Sequence, residues 1–125
     1  MTVSAILITK NAAATLARCL ASVQWADEII VVDCGSTDET VSICRAHGAQ
    51  VFPTEDWPGY GPQKNRALEH ARCEWVLSID ADEWVTAEAR DEIQHALRAS
   101  GAHAAYALPR RSIGCFPMQT WCCLT

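Results

Sequence analysis

Trp75-Val76-Leu77-Ser78-Ile79-Asp80-Ala81-Asp82-Glu83 is the stretch on which the reading of this chain turns. Its first five residues form a short, nearly continuous apolar run, as expected of a strand covered on both faces. The run then stops at three acids in four positions. In an extended backbone, residues i and i+2 point to the same side, so Asp80 and Asp82 are expected to project together as the chain leaves the sheet. Two neighbouring carboxylates resist ionising together unless a positive charge lies between them, which favours a divalent cation held by oxygen ligands. A D-x-D pattern is short, however, and acids also gather at helix starts, where negative charge is favoured. The flanking chain has to decide.

Working outward, strands and helices alternate. Val3 to Thr9 reads as a first buried strand, followed by Asn11 as a helix cap and by Leu16, Cys19, Leu20 and Val23 on one helical face. Glu28 to Asp33 is a second strand. Ser36 and Glu39 have capping-box spacing for a helix that Gly48 ends. Gln50 to Pro53 is a short third strand, and Thr54 to Gly61 is a loop with Trp57 and Tyr60 that leads into a helix with Pro62 in its first turn. The acidic stretch ends the fourth strand, Thr86 caps a further helix that Gly101 ends, and Ala104 to Leu108 is a fifth strand. This βαβαβαβαβ order calls for a largely parallel sheet, whose ligands gather beyond the carboxyl ends of the strands. Thr9, Asp33 and Asp80 all stand at such ends.

Composition narrows the function. A chain of 125 residues, half of them hydrophobic, buries one core, so it reads as one domain or part of one. A net charge of -5 and the lack of a Lys/Arg block argue against nucleic acid. No apolar run reaches the ~20 residues of a membrane span, and the N-terminus lacks a secretory pattern, so a cytoplasmic location is expected. The seven cysteines show no C-x-x-C spacing and the four histidines are dispersed, so neither set reads as a zinc site or a catalytic group. Neither glycine-rich nucleotide fingerprint is present, because the first turn reads Thr9-Lys10-Asn11-Ala12. A cation on the D-x-D, together with Lys64 near a helix N-terminus, would therefore have to neutralise any bound phosphates. Asp33 is a candidate acceptor for a base or ribose, or simply a turn residue before Gly35. By themselves, Lys64 and Arg66 read more readily as solvated helix charges.

Thr9-Lys10-Asn11, Val31-Val32-Asp33-Cys34-Gly35-Ser36-Thr37-Asp38, Pro58-Gly59-Tyr60-Gly61-Pro62-Gln63-Lys64-Asn65 and Leu77-Ser78-Ile79-Asp80-Ala81-Asp82-Glu83 resemble, in this order, the family 2 glycosyltransferases. The nearest likeness is to bacterial lipopolysaccharide core glucosyltransferases acting on inner-core heptose, and it covers roughly residues 2 to 111. The resemblance implies an α/β fold of the GT-A, Rossmann-like type with a mostly parallel sheet, of which this chain would be the N-terminal donor-binding part. It also implies a nucleotide-diphospho-sugar donor such as UDP-glucose, a lipopolysaccharide core acceptor at the inner face of the cytoplasmic membrane, a divalent metal (Mg2+ or Mn2+) and inversion at the anomeric carbon. By the same resemblance Thr9 lies against the base, Asp33 binds the uridine and Lys64 approaches the base or diphosphate. Asp80 faces the ribose or the metal, and Asp82 is the principal metal ligand.

The general base is expected in a second half that family members have and this chain lacks, so the catalytic residue is left unassigned. Residues 112–125 carry three cysteines, no charge and no clear periodicity, and are expected to be an atypical tail left by a frameshift or premature end. Two rival functions are a nucleotide-sugar-binding remnant without turnover and a haloacid dehalogenase-type phosphatase. The second would use its D-x-D after the first strand and need a later lysine, whereas no lysine follows Asp82.

Overall fold

The computed structural model describes residues 2–98 together with the strands at 105–111 and 117–124. Strands β1 (Val3–Thr9), β2 (Glu28–Asp33), β3 (Gln50–Pro53) and β4 (Trp75–Ser78) alternate with helices α1 (Ala13–Ser22), α2 (Thr40–Ala46) and α3 (Tyr60–His70). Helix α4 (Ala87–Arg98) and strands β5 (Ala105–Arg111) and β6 (Pro117–Leu124) follow. The six strands form one sheet in the order β3-β2-β1-β4-β6-β5. The first four are parallel, with Thr9 opposite Asp33 and Asp33 opposite Pro53, so these ends lie level.

The continuous apolar runs have a direct cause. Alternate residues of each central strand feed opposite faces. Val3, Ala5 and Leu7 join Ile29, Val31, Trp75 and Leu77 in a core that also holds Leu16, Cys19 and Leu20 of α1, Cys44 of α2, and Ile93 and Leu97 of α4. Ile6, Ile30, Val32 and Val76 point the other way, onto Ala67 of α3. With both faces covered, the central strands β1, β2 and β4 have no exposed residue, whereas the edge strand β3 exposes Gln50 and Pro53. The expected face of α1, Leu16, Cys19, Leu20 and Val23, is completely buried.

Several local expectations hold. Gly48 takes the left-handed conformation (φ 79°) just past α2, and its N–H donates to the Arg45 carbonyl. The Thr86 hydroxyl accepts from the Ala89 N–H at the head of α4, and Pro62 lies in the first turn of α3. The fate of Gly101 falls outside the described residues. Two cap assignments are corrected. Asn11 does not cap α1, whose N-cap is Ala12 with no side-chain bond; it takes a positive φ of 49° and reaches across to the loop after β2. Ser36 does not cap α2, which begins four residues later behind Glu39; its hydroxyl and N–H are turned toward Asp33. In each case another partner outcompetes the helix terminus, Thr37 of the facing loop for Asn11 and the strand-end Asp33 for Ser36, as short polar side chains permit.

The fifth strand is also corrected. It does not extend the parallel set: β6 lies between β4 and β5 and runs antiparallel to both. Residues 117–124 therefore contribute a strand, although no periodicity was evident there. The stretch Met118-Gln119-Thr120-Trp121 carries Thr and Trp, residue types favoured in strands. Among the described residues, no helix is long and apolar enough to cross a membrane.

Burial pushes the Cys44 thiol up to about 11, with the Asp33 carboxylate adding to the effect. The unfolded chain releases this proton near the ordinary value of 9.0 and the folded chain only near 11. The contribution is thus complete below about pH 9 and is lost as pH rises toward 11. Urea midpoints measured at about pH 8 and about pH 10.5 should fall more in the wild type than in Cys44→Ala. Leu20→Ala, which empties a completely buried position on α1, should cost about 2–5 kcal/mol in the same assay.

Candidate functional site

Where the sheet reverses its order of growth, its covering helices part. From β1 the chain builds outward to β2 and β3, and then returns to lay β4 on the other side of β1. Right-handed crossovers therefore place α1 on one face and α3 on the other, as the two cores show. Beyond the carboxyl ends of β1 and β4 this leaves a cleft of about 630 Å3, at the switch point where such sheets bind ligands. Thr9, Asp80 and Asp82 line it.

The acids converge by a turn rather than by strand geometry, which corrects the expectation of an extended D-x-D. The last ladder bond is donated by the Ile79 N–H to the Ile6 carbonyl at 3.2 Å. The Glu83 N–H then donates to the Asp80 carbonyl at 3.0 Å, and the Asp80 N–H donates to Glu83 Oε1 at 2.9 Å. This reciprocal turn brings one carboxylate oxygen each of Asp80, Asp82 and Glu83 within 4.8 Å of one another. Glu83 was not singled out from the sequence, although its place three residues after Asp80, where a tight turn closes, was the available signal.

Helix α1 grips this turn from behind. The Cys19 thiol donates to the Asp80 carbonyl at 3.4 Å, the Val85 N–H donates to Ser22 Oγ at 2.9 Å, and the Arg18 guanidinium lies 4.0 Å over the Trp84 ring. Burial, followed by the nearby carboxylates of Glu83, Asp80 and Asp82, pushes the Cys19 thiol up to about 12. It is a structural donor and no nucleophile.

Positive charge is present on the facing side. Lys64 Nζ lies 3.3 Å from Asp80 Oδ1, with both side chains about a third exposed. Such a pair contributes little to stability, so its significance is positional. The chain has two lysines, Lys10 and Lys64; Lys10 lines the cleft and Lys64 meets its acidic floor. The Arg66 side chain is paired bidentately with Asp56 at 2.9 and 2.8 Å, and this holds the Asp56 carboxyl below its ordinary range.

Asp33 sits one bond away from the cleft and does not line it. It is 2% exposed; the Thr9 hydroxyl donates to its Oδ1 at 2.7 Å, the Ser36 hydroxyl donates to the same oxygen, and the Ser36 N–H donates to its Oδ2 at 2.9 Å. The Asn11 side-chain oxygen accepts from the Thr37 N–H at 2.8 Å, so the loops after β1 and β2 are laced together around Asp33. Of the residues expected at the site, Thr9, Asp80 and Asp82 share one cavity, Lys64 joins it through Asp80, and Asp33 supports Thr9 from below.

The donor set fits a hard divalent cation, since three converging carboxylates offer only oxygen and their mutual repulsion needs a positive partner.

The chain is similar to known proteins. An uncharacterized glycosyltransferase of Rickettsia felis is 47% identical over 94 residues, 74% of this chain and 33% of that protein. The lipopolysaccharide core biosynthesis glycosyltransferase LpsC of Rhizobium meliloti is 35% identical over 112 residues, 86% of this chain and 42% of its own length. This chain thus spans less than half the length of either relative. Among solved structures, the mannosyltransferase PcManGT of Pyrobaculum calidifontis, in complex with GDP-Man and Mn2+, superposes with a TM-score of 0.74 at 27% identity over 87% of this chain and 35% of that one. The architecture is that of a GT-A fold, present here as its N-terminal part. The model of the family described as glycosyl transferase family 2 matches residues 4–119, and the chain belongs to that family.

Proposed function

We propose that this chain carries the donor side of an inverting, metal-dependent hexosyltransferase that takes glucose from UDP-glucose to a lipopolysaccharide core acceptor at the inner face of the cytoplasmic membrane. The observation that carries the reading is the turn at Asp80, Asp82 and Glu83, whose carboxylates converge on the floor of a cleft served by both lysines of the chain. The lipopolysaccharide acceptor is supported by the likeness to LpsC. The nucleotide-sugar donor and the metal are supported by the complex of the Pyrobaculum enzyme. The division into a donor part ending near Arg111 and an atypical tail belongs to the same reading.

Asp82 and Asp80, joined by Glu83, would hold the cation, which when bound neutralises the diphosphate leaving group as the glycosidic bond breaks. Lys64 and Lys10 add positive charge on the same phosphates. Thr9, braced by Asp33, faces the nucleoside. The acceptor hydroxyl must lose its proton to a base on the side opposite the leaving group, and none of the residues above is assigned that task. A second reading is a chain that binds nucleotide sugars without transferring them. It shares this site and is separated by release of labelled glucose to acceptor or water.

Calorimetric titration of UDP with and without Mn2+ tests the site. Binding should require the metal, and Asp82→Ala should weaken it by at least about tenfold, with Glu83→Gln intermediate. Metal-independent binding, or an Asp82→Ala variant as tight as wild type, would sink the assignment.

A further inference from the structure

Two large aromatic side chains on the cleft wall have no part in the assignment so far. Trp57, in the loop after β3, and Tyr60, the first residue of α3, both line the cleft. Their rings meet edge to face with centroids 5.0 Å apart and planes at 89°, yet Trp57 is 47% and Tyr60 73% exposed. Side chains of this size normally bury their surface.

They are also held in place. The Asp56 carboxylate is clamped by Arg66, and its carbonyl accepts from the buried Cys34 thiol at 3.3 Å. Arg66 donates in addition to Gln63 Oε1 at 3.0 Å, and the completely buried Gln63 donates to Thr54 Oγ1 at 2.9 Å. Gly59, at φ 112°, makes the turn into α3 that a side chain would strain. The loop carrying the rings is therefore anchored at both ends before any ligand arrives.

We infer that this pair is the stacking wall for the donor's nucleobase, with the Tyr60 ring as the stacking surface. The inference rests on the nucleotide reading above. A diphosphate belongs at the acidic floor with its cation and the lysines, which leaves the base to find cover one ribose away. Among the described residues that line the cleft, only Trp57 and Tyr60 carry aromatic rings; the rest are aliphatic, hydroxyl-bearing or charged. Every nucleobase offers a π face, and stacking on a protein ring is favourable whichever base is bound. The hexose, by contrast, is covered with hydroxyls and needs polar partners.

The test compares UDP binding, in the presence of Mn2+, to wild type, Tyr60→Ala, Tyr60→Phe and Asp82→Ala. Saturation-transfer NMR on the uracil and ribose protons is run alongside. Tyr60→Ala should lose about tenfold in affinity and lose saturation at the uracil protons relative to the ribose, while Tyr60→Phe keeps both. Because Tyr60 is exposed, matching circular dichroism and melting curves are expected for these variants. If Tyr60→Ala binds UDP as wild type does while Asp82→Ala does not, or if saturation passes to the hexose of UDP-glucose and not to the uracil, the stacking wall is wrong and the nucleotide site stands. If wild type binds no UDP, the nucleotide reading falls and the stacking wall with it.

Discussion

The reversal of direction at β1 is the constraint on which the rest depends. Because the first two crossovers carry the chain one way across the sheet and the third carries it back, α1 and α3 are forced onto opposite faces. No helix can cover the carboxyl ends of β1 and β4 at once. A crevice there follows from topology and handedness, before any side chain is specified. The residues at and just beyond the ends of those two strands, Thr9 and Lys10 on one and Asp80 to Asp82 on the other, line it for that reason.

Onto this geometry the chain places an electrostatic problem and part of its solution. Three carboxylates held within 4.8 Å raise one another's energy. The turn is kept closed by its own hydrogen bonds and by α1, through Cys19, Ser22 and Arg18, while Lys64 supplies one positive charge from the opposite wall. Asp33, one layer deeper, is saturated by the Thr9 and Ser36 hydroxyls and the Ser36 amide, and it braces Thr9 and the loops instead of facing the cavity. The acids at the strand ends are thus divided between a structural brace and an open ligand set.

The parallel core was legible because its signal is local: unbroken apolar runs of strand length, separated by segments of helical period. The level ends of β1 and β2 and the burial of the α1 face could be read in the same way. Much of what escaped depended on competing partners. Asn11 has the chemistry of a helix cap, and only the juxtaposition of two loops shows that Thr37 claims it, while Ser36 turns back on Asp33 three residues earlier. The antiparallel insertion of β6 is a matter of pairing, which no run of residues encodes by itself. Glu83 was missed because an extended strand would have sent it to the opposite side from Asp80, whereas the turn brings it back.

The clasp of α1 on the acidic turn also shapes the relation between stability and activity. A flexible loop would let its three carboxylates drift apart until a cation collected them, leaving the ordering to the ligand. Here the ordering is done by folding, so the mutual repulsion of the three carboxylates is a cost that the two hydrophobic cores offset. A substitution at Asp82, which leaves the Asp80–Glu83 hydrogen bonds and the Lys64–Asp80 pair in place, would relieve the crowding of charge and make a sturdier protein with a poorer site.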